Sequence, residues 1–178
     1  MKNNKVILYI AMSLDGYIAR PDGAVDWLDE VEGVGDNGYG KFYAQVGTVI
    51  MGRKTYEEVL KLTDEFPYAG NDCYVLTRQS QESTPHVTFT DEDLETLVSR
   101  VKKVSDGYVW LVGGGVLVRQ FLEKKLIDEM ELYIIPKTIG EGIPLFPDGT
   151  PPSDWELAST GRYGQIAALN YKLKKGAE

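Results

Sequence analysis

The chain has 178 residues, 43% of them hydrophobic and 26% charged, which suits a single globular domain with a good core across residues 1–178. A formal net charge of −8 and a pI near 4.8 argue against a general surface for nucleic acid or anionic membrane, so an anionic ligand needs its own local basic pocket. Cys73 is the only cysteine and His86 the only histidine. This excludes an intrachain disulfide and a structural Cys/His zinc cluster, and it suits a reducing, cytoplasmic setting with a core cysteine and a surface histidine.

The opening MKNNKVILYIAMSLDG has too short an apolar run before Asp15 for a signal peptide, and nothing in the chain approaches membrane-spanning length. Residues 6–12 (VILYIAM) form a continuous apolar run, the mark of a central strand covered on both faces. A polar loop follows over 13–25, and residues 26–30 can make a helical turn around Trp27. Asp36 or Asn37 can cap a helix running through Tyr39, Phe42, Tyr43 and Val46. Residues 48–51 (TVIM) read as a second buried strand, and Thr55 with Glu58 forms a capping box at the head of TYEEVLKL. After a loop at 63–71, residues 73–77 (CYVLT) and 87–90 read as strands. Thr90 then caps an amphipathic helix with Leu94, Leu97, Val98 and Val101 on one face.

Residues 108–122, YVWLVGGGVLVRQFL, carry the strongest signal: a short apolar strand, three glycines, then apolar residues at helical spacing. Glycine at the carboxyl end of a strand lets backbone approach a ligand closely. The helix that starts there turns unpaired N–H groups and its positive dipole end toward the same place, where a pyrophosphate fits. Close packing of helix on sheet would account for the glycines equally well. The stretch departs from the dinucleotide fingerprint of doubly wound folds, because Val118 stands where a small residue is wanted and no acidic residue follows at the ribose spacing. Residues 130–135 (MELYII) form a further strand, a Gly/Pro-rich loop spans 137–153, and residues 155–162 and 166–173 make a closing antiparallel hairpin turned at Gly164. Strands alternating with helices, then a hairpin, predict an α/β fold with a mainly parallel central sheet, flanking helices and an antiparallel edge. Ligands in such sheets bind beyond the carboxyl ends of the strands, and residues 11–15, 52–55, 77–78 and 113–115 all lie at such ends.

In their order along the chain, IAMSLDGYIA (10–19), VIMGRKTYE (49–57), YVLTR (74–78), LVGGGVLVRQFL (111–122) and PKTIGEGIPLF (136–146) resemble the dihydrofolate-reductase-like superfamily. The resemblance is closest to the reductase domain of the bifunctional deaminase-reductase of riboflavin synthesis. It implies a dihydrofolate-reductase-like fold over nearly the whole chain, with NADPH as cofactor and a small heterocyclic substrate. Residue by residue, it implies that Ala11 contacts the nicotinamide end with Trp27 near it. Gly52, Arg53, Lys54 and Thr55 would lie along the adenosine phosphates, Thr77 and Arg78 near the 2′-phosphate, and Gly113, Gly114, Gly115, Val116 and Leu117 around the pyrophosphate. Arg53, Lys54 and Arg78 are cations at strand ends in an acidic protein, and charge-assisted bonds reward the extra phosphate of NADP(H). Dihydrofolate reductases carry a carboxylate at the head of the helix before the VIMGR-like strand. Counting back from Met51 gives Asp36, expected in a partly apolar pocket, and counting forward from Trp27 gives Glu32. A plain surface N-cap is the other role open to Asp36. The resemblance also makes a homodimer plausible. Val112 stands where the riboflavin reductases place a glutamate, and the further arginines that would hold a ribose phosphate are absent after Arg53. Three functions therefore stand open: a reductase of a C=N or similar bond, a dihydrofolate reductase, and a non-catalytic NADP-binding module.

Overall fold

The computed structural model describes residues 4–176. The apolar run near the start becomes β1 (Val6–Ser13), followed by a short β2 (Tyr17–Ala19) and a 3-10 turn at Asp26–Leu28. Next come α1 (Tyr39–Tyr43), β3 (Val46–Gly52), α2 (Arg53–Leu62), β4 (Asp72–Leu76), β5 (Val87–Thr90), α3 (Leu94–Val104) and β6 (Tyr108–Gly113). The chain closes with α4 (Gly115–Glu123), β7 (Glu129–Ile135), β8 (Ile143–Pro144), β9 (Trp155–Tyr163) and β10 (Ile166–Leu173). Eight strands form one sheet in the order β5-β4-β3-β6-β1-β7-β10-β9, and β2 pairs with β8 separately. Strands β5 through β7 run parallel and the terminal hairpin adds two antiparallel strands at one edge. This is the mainly parallel α/β sheet with a C-terminal hairpin that the sequence predicts.

Alternation along the central strands builds two cores. Leu8, Ile50, Val109 and Leu111 face α3 and α4, where Leu97, Val101, Val118 and Phe121 fill the space. Ile7, Val49, Met51 and Trp110 face the other way, under Phe42 and Tyr68. Cys73 is buried in that second core, where burial pushes its thiol up to about 12, while His86 is exposed. Among the described residues no helix is long and apolar enough to cross a membrane.

Three local expectations are corrected. The helix after Asp36 does not reach Val46: it ends at Tyr43, because Gln45 accepts the Tyr108 N–H at 2.7 Å and Val46 opens β3. Strand pairing in the sheet outweighs the helical spacing of the aromatic residues. Helix α2 starts at Arg53, two residues before the expected capping box, with Gly52 as its N-cap and no side-chain cap. Helix α3 is capped by Asp93, which accepts from Thr96 N–H, and Thr90 ends β5 instead. Pairing extends β5 through Thr90, the residue that short-range pattern reserves for a cap, whereas β3 ends at Gly52 and α2 begins at once, so that Thr55 falls inside the helix.

Close backbone approach fixes the crossing between β3 and the start of β6. A Cβ on Gly107 would stand 2.2 Å from the Gln45 carbonyl oxygen, whereas one on Gly70 meets nothing within 4 Å. Gly107→Ala should therefore destabilise the fold by ~1–3 kcal/mol or more through overpacking. Gly70→Ala should be neutral or stabilising by up to ~1 kcal/mol through the unfolded chain. Urea melts of the two variants check this, and equal midpoints would count against the assigned crossing.

Candidate functional site

The parallel strands deliver their carboxyl ends to one edge of the sheet, and the expected cofactor residues gather there. Gly113 pairs with Met51 across β6 and β3, and a Cβ on Gly52 would be 3.9 Å from the Gly113 carbonyl oxygen. Thr55, in the first turn of α2, stands against Gly114: a Cβ there would lie 3.5 Å from its hydroxyl oxygen. Arg53 pairs with Glu57 at 2.9 Å and hydrogen-bonds to Gln79, so it joins the head of α2 to the loop holding Thr77 and Arg78. Thr77 is itself fixed, donating its N–H to Thr90 and accepting from Gln79 N–H. Lys54 and Arg78 are exposed. Ala11 packs with Trp27 in a third apolar cluster that includes Tyr133, Ile135, Tyr163 and Ala168.

The three glycines of the turn meet three different demands. Gly113 has φ +130°, which side chains rarely adopt. Gly114 lies in extended backbone, where a Cβ would make only an ordinary contact with Thr55. Gly115 is a packing glycine, since a Cβ there would be 2.3 Å from the Pro144 carbonyl oxygen. Of the next two residues, Val116 is 66% exposed while the Leu117 side chain belongs to the core. Only the backbone N–H of Leu117 is available to a ligand, at the first turn of α4.

Two loops that the resemblance marks are clamped together behind this edge. Asp15 accepts from the N–H groups of Ile139 and Gly140 and from the Ser13 hydroxyl. These bonds, the Ser13 hydroxyl first, hold its carboxyl below the usual carboxylate range.

The expected acid is placed differently. Asp36 is exposed, and its two oxygens accept the Gly38 and Gly40 N–H groups at 3.0 and 2.8 Å. It binds backbone N–H groups at the start of α1, whose N-cap is Gly38, and has none of the apolar surroundings expected for it. Glu32 is exposed as well, its backbone carbonyl accepting the Gln165 N–H at the hairpin turn. The carboxylate drawn into the sheet face is instead Glu131, half-buried on β7 between Tyr9 of β1 and Asn170 of β10. Burial first, then the negative charge of Glu129, pushes its carboxyl up. Beside it the ring of Tyr133 lies 4.9 Å from that of Tyr9 and 6.0 Å from that of Tyr163, centroid to centroid. The Tyr9 ring stacks on Phe42 with centroids 4.0 Å apart. Sequence reading passed over this group, although its signal is present: MELYII places an acid and a tyrosine two apart on one face of a strand buried on both sides.

Two outcomes follow from this geometry. Gly115→Ala should lower the melting temperature of the protein alone, with an overpacking loss of ~1–3 kcal/mol or more, and an unchanged melt would refute the Pro144 contact. Glu131 has a raised folded pKa, so its contribution is intact below the unfolded value and is lost as pH rises through the folded one. Glu131→Gln should therefore melt higher than wild type at neutral pH, with the difference shrinking toward pH 4; a pH series of melts reads the sign directly.

Comparison with known proteins identifies the family and the fold. The RibD C-terminal domain family matches residues 4–169. The uncharacterised protein YwjB of Bacillus subtilis is 46% identical over 168 residues, covering 94% of this chain and 97% of its own. A crystal structure from Shewanella sp. PV-4, described as a "Putative riboflavin biosynthesis protein", superposes with a TM-score of 0.87 at 28% identity, over 96% of this chain and 99% of that one. Dihydrofolate reductase from Enterococcus faecalis, complexed with NADP(H), shares the fold with a TM-score of 0.69 at 17% identity, over 98% and 99% of the two chains. On that family match and this shared fold, the chain belongs to the RibD C-terminal domain family, a reductase-like family on the dihydrofolate-reductase-like fold.

Proposed function

We propose that the chain is an NADPH-dependent reductase that reduces a C=N or similar bond in a small, flat heterocycle. The observation that carries this reading is the convergence, on one edge of the sheet, of an open glycine turn and a cationic helix head. A Cβ on Gly114 would meet only Thr55, at 3.5 Å, next to backbone N–H groups at the start of α4, where the helix dipole favours negative charge. Gly52, Arg53, Lys54 and Thr55 at the head of α2, with Thr77 and Arg78 from the neighbouring loop, would take the adenosine phosphates. Cations in the first turn of α2 oppose its dipole, and an anion between them removes that conflict. Gly113 to Leu117 would hold the pyrophosphate through backbone. When bound, NADPH supplies a hydride from C4 of its nicotinamide. Ala11 presents only a methyl group, so a flat ring can approach β1, while buried Trp27 closes the apolar cluster behind it against water.

One observation favours a second reading, a non-catalytic NADP-binding module: Asp36 and Glu32 both face solvent, so neither provides a pocket acid. NADPH oxidation with a panel of pteridines and pyrimidines separates the readings. Turnover of dihydrofolate alone would indicate a dihydrofolate reductase, and tight NADPH binding without any turnover would favour the module.

Two variants probe the cofactor assignment itself. Arg53→Ala should weaken NADPH about ten-fold or more, since a lost bond to a charged group costs ~1.5–3 kcal/mol, and should leave NADH nearly unchanged. Equal losses for both cofactors in titrations would overturn the 2′-phosphate assignment. Gly114→Ala should weaken NADPH and NADH alike, while the protein alone loses only about 1 kcal/mol. Keeping the full NADPH-induced rise in melting temperature would remove Gly114 from the site.

A further inference from the structure

Helix α1 is a single short turn, and it leaves the sheet uncovered between itself and the terminal hairpin. A trough of about 270 Å³ lies there, walled by Phe42, Tyr108 and Tyr133 and with Glu131 and Asn170 in its lining. That volume is below the ~300–1,000 Å³ of pockets for drug-sized ligands and leaves room for about one ring. Glu131 and Asn170 are direct cross-strand partners, so their side chains stand side by side on one face. The Asn170 side-chain oxygen is buried with no hydrogen-bond partner. Among the described residues Glu131 forms no ion pair, whereas its strand neighbour Glu129 on the same face is paired with Lys5 at 2.6 Å. Two adjacent acceptors are thus left without donors, one of them a half-buried carboxylate, and such groups are costly unless a ligand completes them. The trough adjoins the nicotinamide-side residue of the preceding reading, because Tyr133 pairs with Ala11 in the β1–β7 ladder.

We propose that this trough is the substrate subsite, and that Glu131 and Asn170 together receive the N–H-rich edge of a planar ring, an amidinium or a protonated amino-heterocycle. Phe42, Tyr108 and Tyr133 supply apolar and aromatic walls for the ring. The cation at the rim, Lys41, is exposed and screened by solvent. Naming the subsite as that of the substrate rests on the reductase reading; the recognition of the ring edge does not.

Benzamidine and its neutral isostere benzamide are the probes, titrated calorimetrically into the full chain. Wild type should prefer benzamidine to benzamide by about ten-fold or more, as a charge-assisted pair of bonds requires. Glu131→Gln should erase that preference, Asn170→Ala should weaken benzamidine by a smaller factor, and Lys41→Ala should leave it equal or tighter. NADPH titrations of the same variants should match wild type, so a failure of the cofactor reading shows separately from a failure of the trough. Absence of a benzamidine preference in wild type, or its survival in Glu131→Gln, would overturn the proposal.

Discussion

Everything at the candidate site depends on the dry parallel ladder of β3, β6 and β1. Val49, Ile50, Leu8, Val109 and Leu111 are fully buried, and their alternation faces one core or the other. A slip of one residue would send every one of them to the wrong face, so the register is strongly specified. Parallel strands also return only through crossovers, which brings each strand to its end at the same edge. The glycine turn, the head of α2 and the loop after β4 are neighbours for that reason. None of them touches the others by local sequence preference.

The same ladder sets different tolerances at adjacent residues. Gly115 is held by the Pro144 carbonyl, Gly113 by its backbone angle, and Gly114 by neither. A conformational and a packing constraint flank one residue at which a Cβ would make only an ordinary contact, with Thr55. The other opening in the structure has a different origin. Strand β3 claims Val46, so α1 stops early and the face carrying Glu131, Tyr133 and Asn170 stays uncovered. A helix extended through Val46 would have run on across the sheet.

The fold was legible because long apolar runs and the hairpin leave few alternatives for strand type and order. The gathering of the candidate site residues at one edge was legible because glycine and cationic residues sit at strand ends, where sheet geometry brings them together. Caps were less so. Thr55 and Glu58 have the spacing of a capping box, yet pairing of β3 with β4 and β6 carries the strand through Gly52 and α2 begins at once. The surroundings of Asp36 were misjudged for a related reason. Asp36 has the right distance in sequence from Met51, but the loop before α1 turns it outward to satisfy Gly38 and Gly40. Glu131 was hidden inside a run read only for its apolar members, and its character depends on Asn170, thirty-nine positions away by number and adjacent only across the sheet.

The hairpin has a consequence for where the molecule breathes. Strand β9 is hydrogen-bonded only to β10, is exposed at seven of its nine residues, and carries a register irregularity opposite Asn170 and Tyr171. Such a strand belongs to the least protected cooperative unit, the one whose amides exchange with solvent first. Its residues Ser159, Gly161 and Tyr163 also form the outer wall of the trough. The wall that β9 gives the trough is therefore the sheet's outermost strand on that side, while the glycine turn sits at the end of β6, inside the parallel ladder. The protein thus carries a soft wall and a hard wall, each in a separate part of one sheet.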